Sequence, residues 1–144
     1  MCGIFVSHSE EDNQFVRYID TICALLDIEC HVAEYKQEAG TDLWDKIQSM
    51  IEKSYVVVPI LTVNGVKSEW VKKEITMAKT LNKKFIPIVQ DLVRKDVPDV
   101  LMGKEYISYD IERARLINVH PKAFQCSLLL IPRLSHQLTQ FQLP

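Results

Sequence analysis

Short, uniformly apolar runs alternate with segments whose apolar residues recur at steps of three and four. Residues 3–7, 30–34, 55–61 and 85–89 are rich in Val, Ile, Phe and Tyr and read as strands, with 104–109 a weaker fifth. The run Tyr55-Val56-Val57-Val58-Pro59-Ile60-Leu61 is apolar throughout, the pattern of a central parallel strand covered on both faces. Pro59 has no N–H for the ladder, so the pairing is expected to end or bulge there. Between the strands lie three helical patterns. Ser9 is placed to cap the first, which carries Phe15, Ile19, Ile22 and Leu26 on one face. Thr41 or Asp42 is placed to start the second, with Leu43, Ile47 and Met50 or Ile51 inward. Ser68 is placed to cap the third, with Val71, Ile75, Ala78 and Leu81 or Asn82 on its buried side.

Strand–helix alternation with short joins demands right-handed crossovers onto a parallel sheet. The expected architecture is a flavodoxin-like three-layer α/β sandwich with a five-stranded parallel sheet of order 2-1-3-4-5. After Glu112 there is no acidic residue, and from about Asn118 the rhythm is lost and Pro121, Pro132 and Pro144 interrupt the chain. Residues 1–117 therefore read as one domain and 118–144 as a C-terminal extension or tail.

Composition removes several classes of function. A formal charge of −2 and a pI near 6.1 suit a phosphate backbone poorly, so no nucleic-acid partner is expected. The pairs Lys72-Lys73, Lys83-Lys84 and Arg94-Lys95 read as solvated helix faces and turns. The longest apolar run near the C-terminus, 127–132, falls far short of the roughly 20 residues of a membrane span. No basic residue precedes the apolar stretch 4–6, so no secretory signal is read and a cytoplasmic location is expected. Cys2, Cys23, Cys30 and Cys126 form no CxxC pair and read as reduced small hydrophobes, so no metal site is expected.

In open α/β sheets, ligands bind beyond the carboxyl ends of the strands, where strand order reverses. For order 2-1-3 that point lies above strands one and three. It is bordered by Ser7, His8 and Ser9, by 34–40, and by 62–68 at the start of the third helix. A phosphoacceptor site would need an aspartate after strand three, but Ile60-Leu61-Thr62 has none. A dinucleotide site of the GxGxxG kind is excluded because Ser7-His8-Ser9-Glu10-Glu11-Asp12 has no glycine. No P-loop lysine motif or nucleophile elbow is present. What remains is Trp70-Val71-Lys72-Lys73-Glu74, whose i, i+4 spacing stacks an indole and a carboxylate one turn apart. Spacing alone favours the plainer reading, a packed tryptophan and a surface ion pair.

Together these boxes resemble a family. Ile4-Phe5-Val6-Ser7-His8-Ser9 with the acidic run at 10–12 resembles the first box of Toll/interleukin receptor (TIR) domains. Glu34 through Glu38-Ala39-Gly40-Thr41-Asp42-Leu43 is similar to the family's loop after strand two, the BB loop. Ser68-Glu69-Trp70-Val71-Lys72-Lys73-Glu74-Ile75 and Lys84-Phe85-Ile86-Pro87-Ile88 resemble the helix and fourth strand of its NAD-cleaving branch. The resemblance spans residues 3–116, with the boxes in order.

It implies an NAD⁺ glycohydrolase of immune or stress signalling that yields nicotinamide with ADP-ribose or a cyclic ADP-ribose, without any cofactor beyond NAD⁺ as substrate. Glu74 would be its catalytic carboxylate. Nicotinamide leaves as a neutral base from a cationic ring, so one anion on the developing oxocarbenium ion suffices where ordinary glycosidases need two carboxylates. Ser7, His8, Ser9, Glu34, Lys36 and Trp70 are the implied substrate contacts. Trp70 would either face the cationic ring or support the helix. Tyr35, Glu38, Ala39, Gly40, Thr41 and Asp42 would form a loop for self-association or for contact with other TIR domains. The chain departs from its relatives in having His8 and Ser9 where they often carry an aromatic or arginine, and Glu34 where they usually show aspartate. It also has Ala39-Gly40 for Pro-Gly and lacks the Phe-Trp box of receptor and adaptor relatives. The alternative is a non-catalytic TIR scaffold acting by TIR–TIR association.

Overall fold

The computed structural model describes residues 3–33, 42–104 and 106–109. Its strands are β1 (Gly3–Ser7), β2 (Glu29–Val32), β3 (Val56–Leu61), β4 (Lys84–Phe85), β5 (Ile88–Gln90) and β6 (Ile107–Tyr109). Its helices are α1 (Asn13–Leu25), α2 (Leu43–Lys53) and α3 (Glu69–Thr80). The strands form one sheet in the order β2-β1-β3-β5-β6, with β4 also beside β3, and every pairing is parallel. This is the expected order, with the fourth strand in two pieces. Both pieces keep one register on β3, Val56 facing Lys84 and Ile60 facing Ile88. In that register Pro59 lies opposite Pro87, so neither strand has an N–H to donate where the ladder breaks. Ile86 still donates to the Val57 carbonyl at 3.0 Å.

The period of two along β1 assigns the layers. Ile4 and Val6 point, with Val56, Val58 and Ile60 of β3, onto Val16, Ile19 and Ile22 of α1. Phe5 and Val57 point the other way, onto Ile47 and Ile51 of α2 and Ala78 of α3. Leu61 and Val89 continue that second face under Val71 and Ile75. Each such side chain stabilises the fold by about 1.5–3 kcal/mol when fully buried. β3 is apolar throughout because it is covered on both sides.

Local chemistry sets the helix ends. The Asp42 carboxylate accepts the Trp44 N–H at 2.9 Å, and the Ser68 hydroxyl accepts the Val71 N–H at 3.3 Å, so both helices start at a side-chain cap. α1 starts differently from expectation. A 3-10 turn, Glu10–Asp12, precedes it, and Ser9 makes no cap bond because its hydroxyl donates to the Asp12 carboxylate at 2.7 Å. Beyond α1 and α3 the chain turns through left-handed Asp27 (φ 54°) and Asn82 (φ 52°), the role glycine usually fills at a helix end. Among the described residues no helix is long and apolar enough to cross a membrane. The expected contacts Glu34 and Lys36, loop residues 35–41 and the extension at 118–144 lie outside the described residues.

Candidate functional site at the carboxyl ends of β1 and β3

The buried stripe of α3 consists of Val71, Glu74, Ile75 and Ala78. These positions follow the i, i+3, i+4, i+7 spacing of a core-facing helix, so a carboxylate stands where an aliphatic side chain would normally go. Glu74 has 0% exposure, as does Ser7 at the end of β1. By the alternation that sends Phe5 toward α2 and α3, Ser7 faces the same layer, and its hydroxyl donates to Glu74 Oε2 at 2.5 Å. The surface position that spacing alone favours for Glu74 is corrected here, since it is buried. The helix periodicity turns it inward.

A second polar network lies at the same end of the sheet. Asp12 Oδ2 accepts from the Ser9 hydroxyl at 2.7 Å and from the Thr62 hydroxyl at 2.8 Å. The Thr62 hydroxyl in turn accepts the N–H groups of Asn64 at 3.2 Å and Gly65 at 3.0 Å. Gln90, at the end of β5, accepts the Val63 N–H at 3.1 Å. The segments that follow β1 and β3, and the end of β5, are thereby tied together by groups that are themselves nearly buried, which holds such bonds in a fixed geometry. Gly65 permits the tight return after β3, where a Cβ would meet the Ile60 carbonyl oxygen at 2.1 Å.

Above this floor is a cleft of about 450 Å³ bordered by Ser9, Glu10, Asn64, Lys67, Ser68 and Trp70, in the size range of small-molecule sites. Its wall at Trp70 is braced from behind. Trp70 and Trp44 stack with ring centroids 5.0 Å apart, and the Lys73 ammonium lies 5.4 Å from one ring and 5.6 Å from the other. A larger groove of about 530 Å³ runs between α2 and α3 past Trp44, Gln48 and Met77. It lies on the helix flanks, and Lys73 is its only ionisable lining residue. The cleft over the strand ends is the better place for chemistry. On the exposed side of α3, Lys72 hydrogen-bonds Glu69 at 2.8 Å and holds that exposed carboxyl below the usual carboxylate range.

The structure thus brings Ser7, Ser9, Trp70 and Glu74 together in two tiers. Ser9 and Trp70 border the cleft, while Ser7 and Glu74 are buried and hydrogen-bonded to each other. His8 is buried, with Nε2 3.1 Å from Asn13 Oδ1, which places it against the start of α1. Asp42, expected in the association loop, is the cap of α2. Lys73, expected to face solvent, lies over the tryptophan pair. Sequence reading placed Thr62 on the border of the site and Asp12 in the first box without giving either a role, and it missed Gln90 and Trp44. The first three had a signal in being polar residues just beyond the ends of strands or at them; Trp44 had none beyond its aromatic bulk. Among the described residues no group of three or more His, Cys, Asp or Glu is placed to hold a metal ion, and Cys23 and Cys30 are free thiols.

Comparison with known proteins places this geometry. The TIR domain family model matches residues 4–118. A curated relative, the 2′ cyclic ADP-D-ribose synthase AbTIR of Acinetobacter baumannii, is 28% identical over 101 residues, which are 67% of this chain and 38% of the relative. The chain therefore spans well under half the length of that protein. Among solved structures, the TIR domain of the Toll-related receptor TRR-2 from Hydra magnipapillata superposes with a TM-score of 0.63 at 18% identity, covering 83% of this chain and 96% of the other. The Clostridium botulinum CMP N-glycosidase BcmB gives 0.57 at 17% identity over 79% and 93%. At these identities the two structures speak for the fold.

Proposed function

This chain belongs to the TIR domain family, and from that premise we propose that it is an NAD⁺ glycohydrolase, cleaving the nicotinamide–ribose bond to give nicotinamide and ADP-ribose or a cyclic ADP-ribose. The observation that carries the reading is Glu74. A carboxylate fully withdrawn from water, one helical turn from Trp70 and hydrogen-bonded to Ser7, sits at the strand-order reversal of the sheet. The named activity of the Acinetobacter relative supports the same chemistry.

In this reaction the bond between ribose C1′ and the pyridinium nitrogen breaks, and its electron pair leaves with nicotinamide as a neutral base. No general acid is needed. Glu74 offsets the positive charge that develops on the ribose, where a fixed anion in a dry site acts most strongly. Water then adds at C1′ and loses a proton to give ADP-ribose, or a nucleophilic atom of the same molecule adds to close a ring. Trp70, held by Trp44, presents an aromatic wall to the cationic ring. No cofactor beyond NAD⁺ is required. The setting is immune or stress signalling, and the loop over residues 35–42 serves association with further TIR domains. Release of nicotinamide from NAD⁺ by purified protein, followed across protein concentration, tests the activity. Gly40→Arg in that loop should lower it most at dilute protein.

The complete burial of Glu74 also favours a second reading, a non-catalytic scaffold in which the carboxylate anchors α3 to β1. That reading requires no nicotinamide release at any protein concentration.

A further inference from the structure

We propose that Ser7 is a positioning residue for Glu74 and makes no contact with the substrate; this rests on the NAD-cleaving reading. Three observations converge. Ser7 is the last residue of β1, and strand alternation directs its side chain with Phe5 into the layer of α2 and α3, away from α1. It is fully buried, so it does not line the cleft, whose border on this strand connection begins at Ser9. Its hydroxyl donates to Glu74 Oε2 at 2.5 Å across 67 residues of sequence.

A glutamate has three side-chain torsions, and a hydrogen bond to its carboxylate removes part of that freedom. A hydroxyl fixed at the end of a central strand selects one rotamer and one rotation of the carboxylate plane. β1 is paired on both sides, with β2 through Val6 and with β3 through Ser7, so the donor is anchored to a strand held in the interior of the sheet. A donor to Oε2 also lends electrostatic support to negative charge on the carboxylate. Both effects act on the charge that meets the developing oxocarbenium ion, and neither acts on the affinity for ground-state NAD⁺.

The test is steady-state NAD⁺ cleavage by wild type, Ser7→Ala, Ser7→Cys and Ser7→Thr, with the folded fraction of each taken from thermal melts. Ser7→Ala should lose about tenfold to a hundredfold in kcat, the value of a hydrogen bond to a charged group, with KM unchanged within about twofold. Ser7→Thr, which keeps the hydroxyl, should recover most of that loss. Ser7→Cys, with a weaker donor, should fall between and serves in place of Ser7→Ala if the alanine variant does not fold. A rise in KM at constant kcat would overturn the proposal in favour of a substrate contact. Loss of activity matched by loss of folded fraction would overturn it in favour of a structural bond. An inactive wild type would remove the NAD-cleaving reading and this proposal with it, whereas an active wild type beside a fully active Ser7→Ala would remove this proposal alone.

Discussion

Replacing Glu74 by glutamine separates chemistry from architecture more sharply than any other single change. Glutamine keeps the shape, and its side-chain carbonyl accepts the Ser7 hydroxyl as Oε2 does now, so the bond that joins α3 to β1 persists in neutral form. Loss of charge assistance weakens it by about 1 kcal/mol. Against this, a charge buried at 0% exposure no longer has to be desolvated, which works in the opposite direction by a comparable amount or more. The two effects largely cancel, and the melting temperature should stay within about 5 °C of wild type. Catalysis has no such compensation. Removing one preorganised charge from a water-excluded site costs about 3–4 kcal/mol of transition-state stabilisation, or on the order of a hundredfold to a thousandfold in rate. The assay is nicotinamide release at fixed protein concentration beside a melting curve for each protein. Lys73→Gln is unsuitable as the control because Lys73 lies over Trp44 and Trp70. Lys72→Gln is better, since Lys72 is exposed and pairs only with exposed Glu69 among the contacts of α3 given above; it should leave both readouts unchanged. Wild-type nicotinamide release by Glu74→Gln would refute the catalytic reasoning. A melting temperature lowered by 10 °C or more would refute the structural half.

Trp44→Ala removes the partner on which Trp70 is stacked; it should destabilise the domain by about 2 kcal/mol in urea unfolding and raise KM for NAD⁺ more than it lowers kcat. Thr62→Val keeps the volume but deprives Asp12 of a donor and the Asn64 and Gly65 N–H groups of an acceptor. A loss of about 1–3 kcal/mol is expected in thermal or urea unfolding, with faster hydrogen exchange over residues 62–66. A chain ending at Asn118 should fold and retain nicotinamide release, because the family match ends at that residue; insolubility of that chain would show that the extension belongs to the core.

The layers were legible because their signals are local and repeated. An all-apolar strand such as β3 reports cover on both faces, and a cap such as Ser68 reports a helix start without any tertiary information. The split of the fourth strand was half legible. Pro59 marked an interruption, but that Pro87 would fall opposite it depended on the pairing register, which no single segment carries. Ser9 shows the reverse failure. It has the chemistry of a cap, but Asp12 competes for its hydroxyl, and Thr62, fifty residues away, joins the same carboxylate.

The helix that carries the site shows why spacing had to be read twice. Trp70 and Glu74 stand four residues apart, which invites the picture of two groups on one face, both offered to a ligand. The apolar residues Val71, Ile75 and Ala78 define the buried meridian of α3, and position 74 lies on it, three residues from Val71 and four from Ala78. The same periodicity that identified the helix therefore required a buried carboxylate, and a buried carboxylate requires a donor. Ser7 meets that need because it ends a strand whose preceding alternate residue, Phe5, already faces α2 and α3. Trp70, one turn earlier and only partly buried, instead leans across to Trp44 and forms the wall above. One helix thus supplies both tiers of the site, the aromatic surface at the cleft and the buried charge, and the single turn between them sets their separation.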